Sequence, residues 1–459
     1  MNRNKMPIVG IIAFLLLTMA ISLLFGLPNA MAGEATLFVD LTQEQPAQDS
    51  LALEDPLQEE GVSQARWVEI NWDALKNPQT NQLKIDLFDG ETISAVHNRT
   101  DLSTSAEGYV WVGHLVGDPY SSVTLSVVGN MLTGSISPGG IERYIILSRD
   151  GRQMLQEIDL ENRIEVEGPA DAIPAPLASA QVDQDTALYC EDGSRIDLLV
   201  AYTPGAREYA GGKNAIEALI NQRVADMNTA NINSGLSFTY RLVHVMETSY
   251  PDTGDVLTDL ERLRLSNDEF LNDVLQARDQ YLADMVSLII GQSTVNNYCG
   301  VGYLMTSLTT SFAPTALNVS ALDYVGSAMC SPLTMAHEFG HNMGNQHDRA
   351  NSTYTNTVLP YSYGYQSPDK TFRTIMAYQC SGTSCPRINQ WSNPDISYMG
   401  KPTGVDYETN PANSADNVRS MKQTAYYVAN FRQNCSTPVT PTPMPELTNH
   451  VVLPMILGD

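Results

Sequence analysis

In the first third of this chain, beyond Gly33, apolar residues alternate with polar ones; later they recur at longer spacings. Val110-Trp111-Val112-Gly113-His114, Ser122-Val123-Thr124-Leu125-Ser126-Val127-Val128 and Tyr144-Ile145-Ile146-Leu147 are β-branched or alternating runs, punctuated by Asn130, Gly134 and Gly139-Gly140. Such runs between turn residues predict short strands, and so a β-rich unit from Gly33 to about Asp185. Ile196 to Tyr202 then reads as a buried strand. Asn214 to Asn228 carries Ala215, Ile216, Leu219, Ile220 and Val224 at helical spacing, which suits a helix packed on a sheet. Leu236 to Val245 is strand-like, Val256 to Arg278 largely helical, and Met285 to Ile290 a short apolar strand. That order predicts a mostly parallel twisted sheet, with further strands at Gly302–Met305 and Leu317–Leu322. Ser331-Pro332 predicts a helix start, serine as N-cap and proline at the first helical position. Little regular structure is expected between Gly344 and Ala415, and a closing helix runs to Phe431 with Val418, Met421, Ala425 and Val428 on its buried stripe. The expected fold class is α/β (α+β), a catalytic-type domain with a parallel sheet behind a β-rich domain.

The ends of the chain differ from both units. Arg3 and Lys5 precede an apolar run from Ile8 to Leu27, and Ala30-Met31-Ala32 is a small-x-small cleavage pattern. Residues 1–32 therefore read as a secretory signal peptide; uncleaved, the run is long enough to anchor the chain in a bilayer. The Pro-rich stretch Gly168 to Asp185 reads as linker and maturation site. Divisions follow at 33–185, 186–435 and 436–459, the last a Thr/Pro-rich spacer ending in Val451–Leu457, too short to cross a membrane. That tail suggests a surface-retention tag or an extra edge strand.

Composition narrows the partners. A net charge of −26 argues against nucleic acid and anionic membrane surfaces. All six cysteines, Cys190, Cys299, Cys330, Cys380, Cys385 and Cys435, lie in the later unit. An even count in an exported chain reads as disulfides, with 15 connectivities open; the pairing expected is 299–330, 380–385 and 190–435. Asn98, Asn318 and Asn351 head glycosylation sequons.

The densest chemistry lies in His337-Glu338-Phe339-Gly340-His341-Asn342-Met343-Gly344-Asn345-Gln346-His347-Asp348. Histidines four apart on a helix share one face, with Cβ atoms roughly 5–6 Å apart, so both can reach one Zn²⁺ at about 2.0–2.1 Å. Gly344 can take positive φ, letting the chain turn and return His347 as a third ligand. Glu338 sits one step round the helix, placed to act as a base without ligating. Three protein ligands leave a fourth position for water, the mark of a catalytic site. Met376, in Arg373-Thr374-Ile375-Met376-Ala377-Tyr378, is placed to form an apolar floor beneath the imidazoles.

H-E-x-x-H-x-x-G-x-x-H followed by a methionine turn is the metzincin signature. His347-Asp348 resembles the reprolysin branch. Asp197-Leu198-Leu199-Val200-Ala201-Tyr202-Thr203-Pro204-Gly205-Ala206-Arg207, with Thr374-Ile375-Met376-Ala377-Tyr378, is similar to the secreted bacterial peptidyl-Asp metalloendopeptidases, over roughly Cys190 to Cys435. Tyr378, two places after the methionine, is instead an astacin and serralysin trait.

The resemblance implies an extracellular zinc endopeptidase made as a zymogen, with Glu338 as general base and Tyr378 at the oxyanion. Extended peptides would add to the edge strand near Gly302, and Asp348 would support the site. Cleavage before acidic residues needs a cation, and Arg387 is the only base between Met376 and Lys401. One Zn²⁺ is expected, Ca²⁺ is not indicated, and the partners are peptide substrates and the chain's own propeptide, in a monomer. Gly113 to Ser126, ending at Gly134-Ser135-Ile136, resembles reprolysin propeptides, yet this region has no cysteine to cover the metal. Latency would then come from blocking the cleft or from another ligand, for which Asp89, His97 and His114 are candidates. A different reading is a cell-surface-retained protease or an adhesion protein with a single dedicated partner.

Overall fold

The computed structural model describes residues 33–39, 61–77, 80–103, 108–149, 151–160, 171–176, 191–266, 268–295, 298–324, 330–354, 356–383 and 385–432. The signal segment, the expected 190–435 disulfide and the Thr/Pro-rich tail lie outside these residues. Among them, no helix is long and apolar enough to cross a membrane.

Alternation in the first unit produces a nine-stranded sheet between Gly33 and Ile158. Strands Ser122–Val128 and Met131–Ser137 pair antiparallel, with Val123 opposite Ile136 and Val127 opposite Leu132. Val123, Leu125, Val127, Leu132 and Ile136 point into an apolar core with Ile146 and Leu155. Their polar neighbours Thr124, Ser126, Thr133 and Ser135 point the other way, and they are buried too.

What buries them is the long helix Lys213–Ser234 of the second unit. Its Ile216, Ile220, Val224, Met227 and Ala230 join the core of the second sheet. Its opposite face carries Gln222, Arg223, Asp226 and Thr229, all buried. Thr124 donates its hydroxyl to Asp226, and Arg99 donates to the Ala225 carbonyl and to Thr229. The two units therefore meet along this helix across a surface that is largely polar, with a small apolar cluster at Val110, Val112 and Ala225 and a second where Tyr120 and Ile141 pack against Phe372, Ile388 and Tyr398.

The second sheet has the expected parallel strands Arg195–Tyr202, Thr239–Glu247, Met285–Ser293 and Leu317–Tyr324. Gly300–Leu304 runs antiparallel to Leu317–Tyr324. The expected helix Val256–Arg278 is two helices, Val256–Arg264 and Asn272–Gln280. The chain turns between them with Leu271 at positive φ, while Leu263, Leu271 and Val274 remain in the core. That shared burial explains the unbroken apolar pattern. The closing helix is Asn417–Val428.

Cys299–Cys330 and Cys380–Cys385 are disulfides. Asn318 is fully buried within its strand and donates to Asn342, so its sequon is closed to glycosylation in the folded chain.

One expectation changes at residues 171–176, the described part of Gly168–Asp185. Within the stretch read as linker, Ala172–Pro174 forms a strand that pairs parallel with Gly300–Leu304, at the outer edge of the second sheet. Its one proline, Pro174, is tolerated because an edge strand need not use every N–H in a ladder.

Candidate metal centre

The motif helix spans Thr334–Asn342, two residues later than Ser331-Pro332 implied. Ser331 instead caps a preceding turn, its hydroxyl accepting from the Leu333 N–H. Asn342 fixes the helix against the sheet: its side chain donates to the carbonyls of Tyr303 and Leu317. The Cys299–Cys330 disulfide ties the residue before strand Gly300–Leu304 to the segment entering the helix.

Gly344 ends the helix with φ of 85°. Asn345 N–H bonds back to the Gly340 carbonyl and Gly344 N–H to that of His341, the paired bonds of a Schellman cap. The chain then reverses into Gln346–Asp348, which pairs with Tyr363–Gly364. This turn brings His347 to the helical histidines.

The three Nε2 atoms converge. His341 Nε2 lies 3.1 Å from that of His337 and 3.1 Å from that of His347. Tetrahedral ligands at 2.0–2.1 Å from zinc are about 3.3 Å apart, so the spacing is that of a shared ion. His337 Nδ1 bonds the Ile375 carbonyl at 2.9 Å and His341 Nδ1 the Asn345 carbonyl at 2.8 Å. Such outer bonds place the N–H on Nδ1 and leave Nε2 as the donor to metal. Burial, then the neighbouring His337 and His347, pushes the His341 imidazole well below its usual range, which favours the neutral ligand form. The cluster suits one zinc ion.

A fourth group completes the cluster, and it comes from the stretch expected to be linker. Asp171 Oδ1 is 2.7 Å from His347 Nε2, and its carboxylate is 3.6 Å and 3.9 Å from the Nε2 atoms of His337 and His341. Burial works to raise this carboxyl, but the charge of His347 and hydrogen bonds from His337 and His347 hold it well below the usual range. The latency candidates lie elsewhere: His97 bonds Thr100, His114 bonds Asn98, and Asp89 occupies a positive-φ turn. Sequence reasoning passed over Asp171 because the prolines around it suggested a linker.

Glu338 is 2% exposed, and its Oε2 has no hydrogen-bond partner among the described residues. Burial and then the charge of Asp171 push its carboxyl well above the usual range. Met376 is fully buried below the helix, within a turn closed by Ala377 N–H to the Thr374 carbonyl. Gly340 makes that approach feasible: a Cβ there would sit 2.3 Å from Met376 Sδ.

Tyr378 packs against His347 with its ring tilted by 39° and centroids 4.1 Å apart, and its hydroxyl donates to Asp171 Oδ1 at 2.7 Å. Burial, then Asp171, pushes its phenol far above the ordinary value, so it stays a donor. Asp348 accepts the backbone N–H of Tyr378 and the side chain of Asn351, which fastens the third ligand's neighbour to the methionine turn. Arg387 is buried next to Arg373 and lines a pocket with Ser331, Pro332, Leu333 and Gln379.

Residues 192–392 match the metallo-peptidase family M12. A Xanthomonas campestris protein named peptidyl-Asp metalloendopeptidase is 32% identical over 396 residues, covering 83% of this chain and 89% of the relative. A Stenotrophomonas maltophilia protein of the same name is 32% identical over 386 residues, covering 79% and 86%. One from Pseudomonas aeruginosa is 30% identical over 260 residues, covering 52% of this chain and 40% of its own. A chain from a solved chaperone-substrate complex aligns at a TM-score of 0.40 and 16% identity, over 77% of this chain and 42% of that one. With its histidine cluster and its kinship to the peptidyl-Asp enzymes, the chain belongs to the reprolysin-like M12 metallopeptidases and is a zinc metalloendopeptidase.

Proposed function

We propose that this chain is exported behind residues 1–32, is made as a zymogen with 33–185 as propeptide, and cleaves extended protein segments before acidic residues. The observation that carries the catalytic reading is the convergence of His337, His341 and His347 at 3.1 Å spacing beside a buried carboxyl, Glu338, whose Oε2 has no other partner among the described residues.

Bound zinc would supply a Lewis acid that brings a water's pKa to about 7. Glu338 takes the proton from the attacking water and hands it to the leaving amine, as one carboxyl can do for both steps. The phenol of Tyr378 donates to the oxyanion. Strand Gly300–Leu304, once Ala172–Pro174 has left it, offers its ladder to an extended peptide. Arg387 supplies the cation for an acidic side chain after the cut; relatives bearing the peptidyl-Asp name support this.

The deciding comparison is matured wild type against Glu338→Gln. The variant keeps one zinc per chain and loses cleavage of an unfolded protein. Loss of zinc along with activity would make Glu338 a ligand and overturn its role as base.

A further inference from the structure

We propose that Asp171 is a fourth metal ligand in the precursor, held there by Ala172–Pro174 acting as a strap; the inference rests on the zinc reading above. The strap shuts the site by occupying both the water position and the strand edge a substrate needs.

A carboxylate oxygen bound at about 2.0–2.2 Å would lie near 3.3 Å from each of the three nitrogens. Asp171 Oδ1 lies 2.7 Å from His347 Nε2 and 3.9 Å from that of His341, and Oδ2 lies 3.6 Å from that of His337, so the distances of the carboxylate as a whole bracket that value. All four candidate donor atoms lie within 4.8 Å of one another, and all four residues are buried.

The strap presents a carboxylate to the site instead of its peptide group. The backbone carbonyl of Asp171 accepts the Gly302 N–H at 2.9 Å, and Ala172 and Pro174 stand in register with Gly302 and Leu304. With its carbonyl turned to the ladder and its side chain to the histidines, Asp171 offers nothing to hydrolyse there. Tyr378 is engaged as well, since its hydroxyl is spent on Asp171 Oδ1. Departure of Asp171 with the strap would therefore open the metal position, free the ladder and release the oxyanion donor together.

The rest of the first unit is built to leave. Gln222, Arg223, Asp226 and Thr229 on one side and Thr124, Ser126, Thr133 and Ser135 on the other are groups that water can solvate after separation. A junction whose apolar contacts are two small clusters, Val110 and Val112 with Ala225 and Tyr120 and Ile141 with Phe372, Ile388 and Tyr398, resembles a transient interface more than an obligate one. The strap adds its own ladder to these contacts.

The test uses the full chain carrying Glu338→Gln, which prevents self-cleavage, and a short peptide hydroxamate as probe of the open metal position. Zinc per chain is measured by metal analysis and hydroxamate binding by calorimetry, with and without Asp171→Ala. An occluded site lowers apparent affinity by the fraction of open molecules, so loss of the ligand should tighten binding at least about tenfold with zinc unchanged. Asp171→Asn, which keeps the shape and hydrogen bonds of the strap, should move in the same direction. Equal hydroxamate affinity in zinc-loaded parent and both variants would overturn the strap and leave the enzyme reading standing. A full chain that binds no zinc would overturn both.

Discussion

Thr124 donates its hydroxyl to Asp226 at 2.6 Å across the junction between the first sheet and the long helix. Burial raises the Asp226 carboxyl to about 7 from an ordinary value of 3.8. Glu142 adds to the rise; Thr124, Gln222 and Arg99 oppose it without winning, and Arg223 also faces it. The docked state thus prefers the protonated form. Its contribution to docking is complete below about pH 4, shrinks as pH climbs toward 7, and changes no further above that. Protection of strands Ser122–Val128 and Met131–Ser137, taken as exchange relative to the base-catalysed intrinsic rate at each pH, should fall between pH 4 and 7. In Asp226→Asn that fall in protection should flatten; if it persists unchanged, another group sets it.

Tyr378→Phe retains the ring against His347 and removes only the hydroxyl. In the matured enzyme kcat should fall on the order of 10²–10³, with KM moving little, because the bond is made mainly in the transition state. Steady-state kinetics on zinc-saturated protein checks this. Near-normal turnover would restrict the phenol to its bond with Asp171.

Gly340→Ala sets two effects against each other. Alanine in a helix interior gains roughly 0.5–1 kcal/mol over glycine. The new Cβ would lie 2.3 Å from Met376 Sδ and 3.2 Å from Trp391 Cζ3, and overpacking of that kind costs about 1–3 kcal/mol. Strain should prevail. The expected result is a lower Tm and faster loss of zinc to a chelator; a raised Tm would show that Met376 moves aside freely.

Arg387→Gln removes the cation in the pocket beside Leu333 while keeping polar length. Cut sites mapped in a denatured protein should lose their bias toward acidic residues after the scissile bond, with overall peptide hydrolysis retained. An unaltered bias would assign the selectivity to another group and make Arg387 a support for the turn at Arg373.

How legible the molecule was depends on the distance over which each feature is encoded. His337 and His341 are one helical turn apart, Gly344 sits at the break, and His347 follows within three residues, so local geometry sufficed. The alternation from Ser122 to Val128 likewise identified a strand with one apolar face. It could not show that the polar face is buried, because that depends on Gln222 and Asp226 far along the chain. Asp171 was hidden for the same reason. It is one of 52 acidic residues, and only pairing with a strand beginning at Gly300 brings it to the histidines. The break at Leu271 was hidden by apolar residues that serve two helices and their connection equally.

The strap sits between the first unit and the catalytic sheet along the chain, so where a maturing protease cuts has unequal consequences. A cut within 161–170 would leave Asp171 tethered to Glu191 through the intervening residues. A short tether keeps a ligand at an effective concentration on the order of millimolar, and the site would stay shut although the first unit had gone. A cut within 177–190 makes the same contact bimolecular. The strap and everything before it must then be held by affinity alone, and at nanomolar protein a weak contact is lost to volume. In that arrangement activation is set by dilution, and a concentrated store of correctly cut enzyme would remain quiet until it is released.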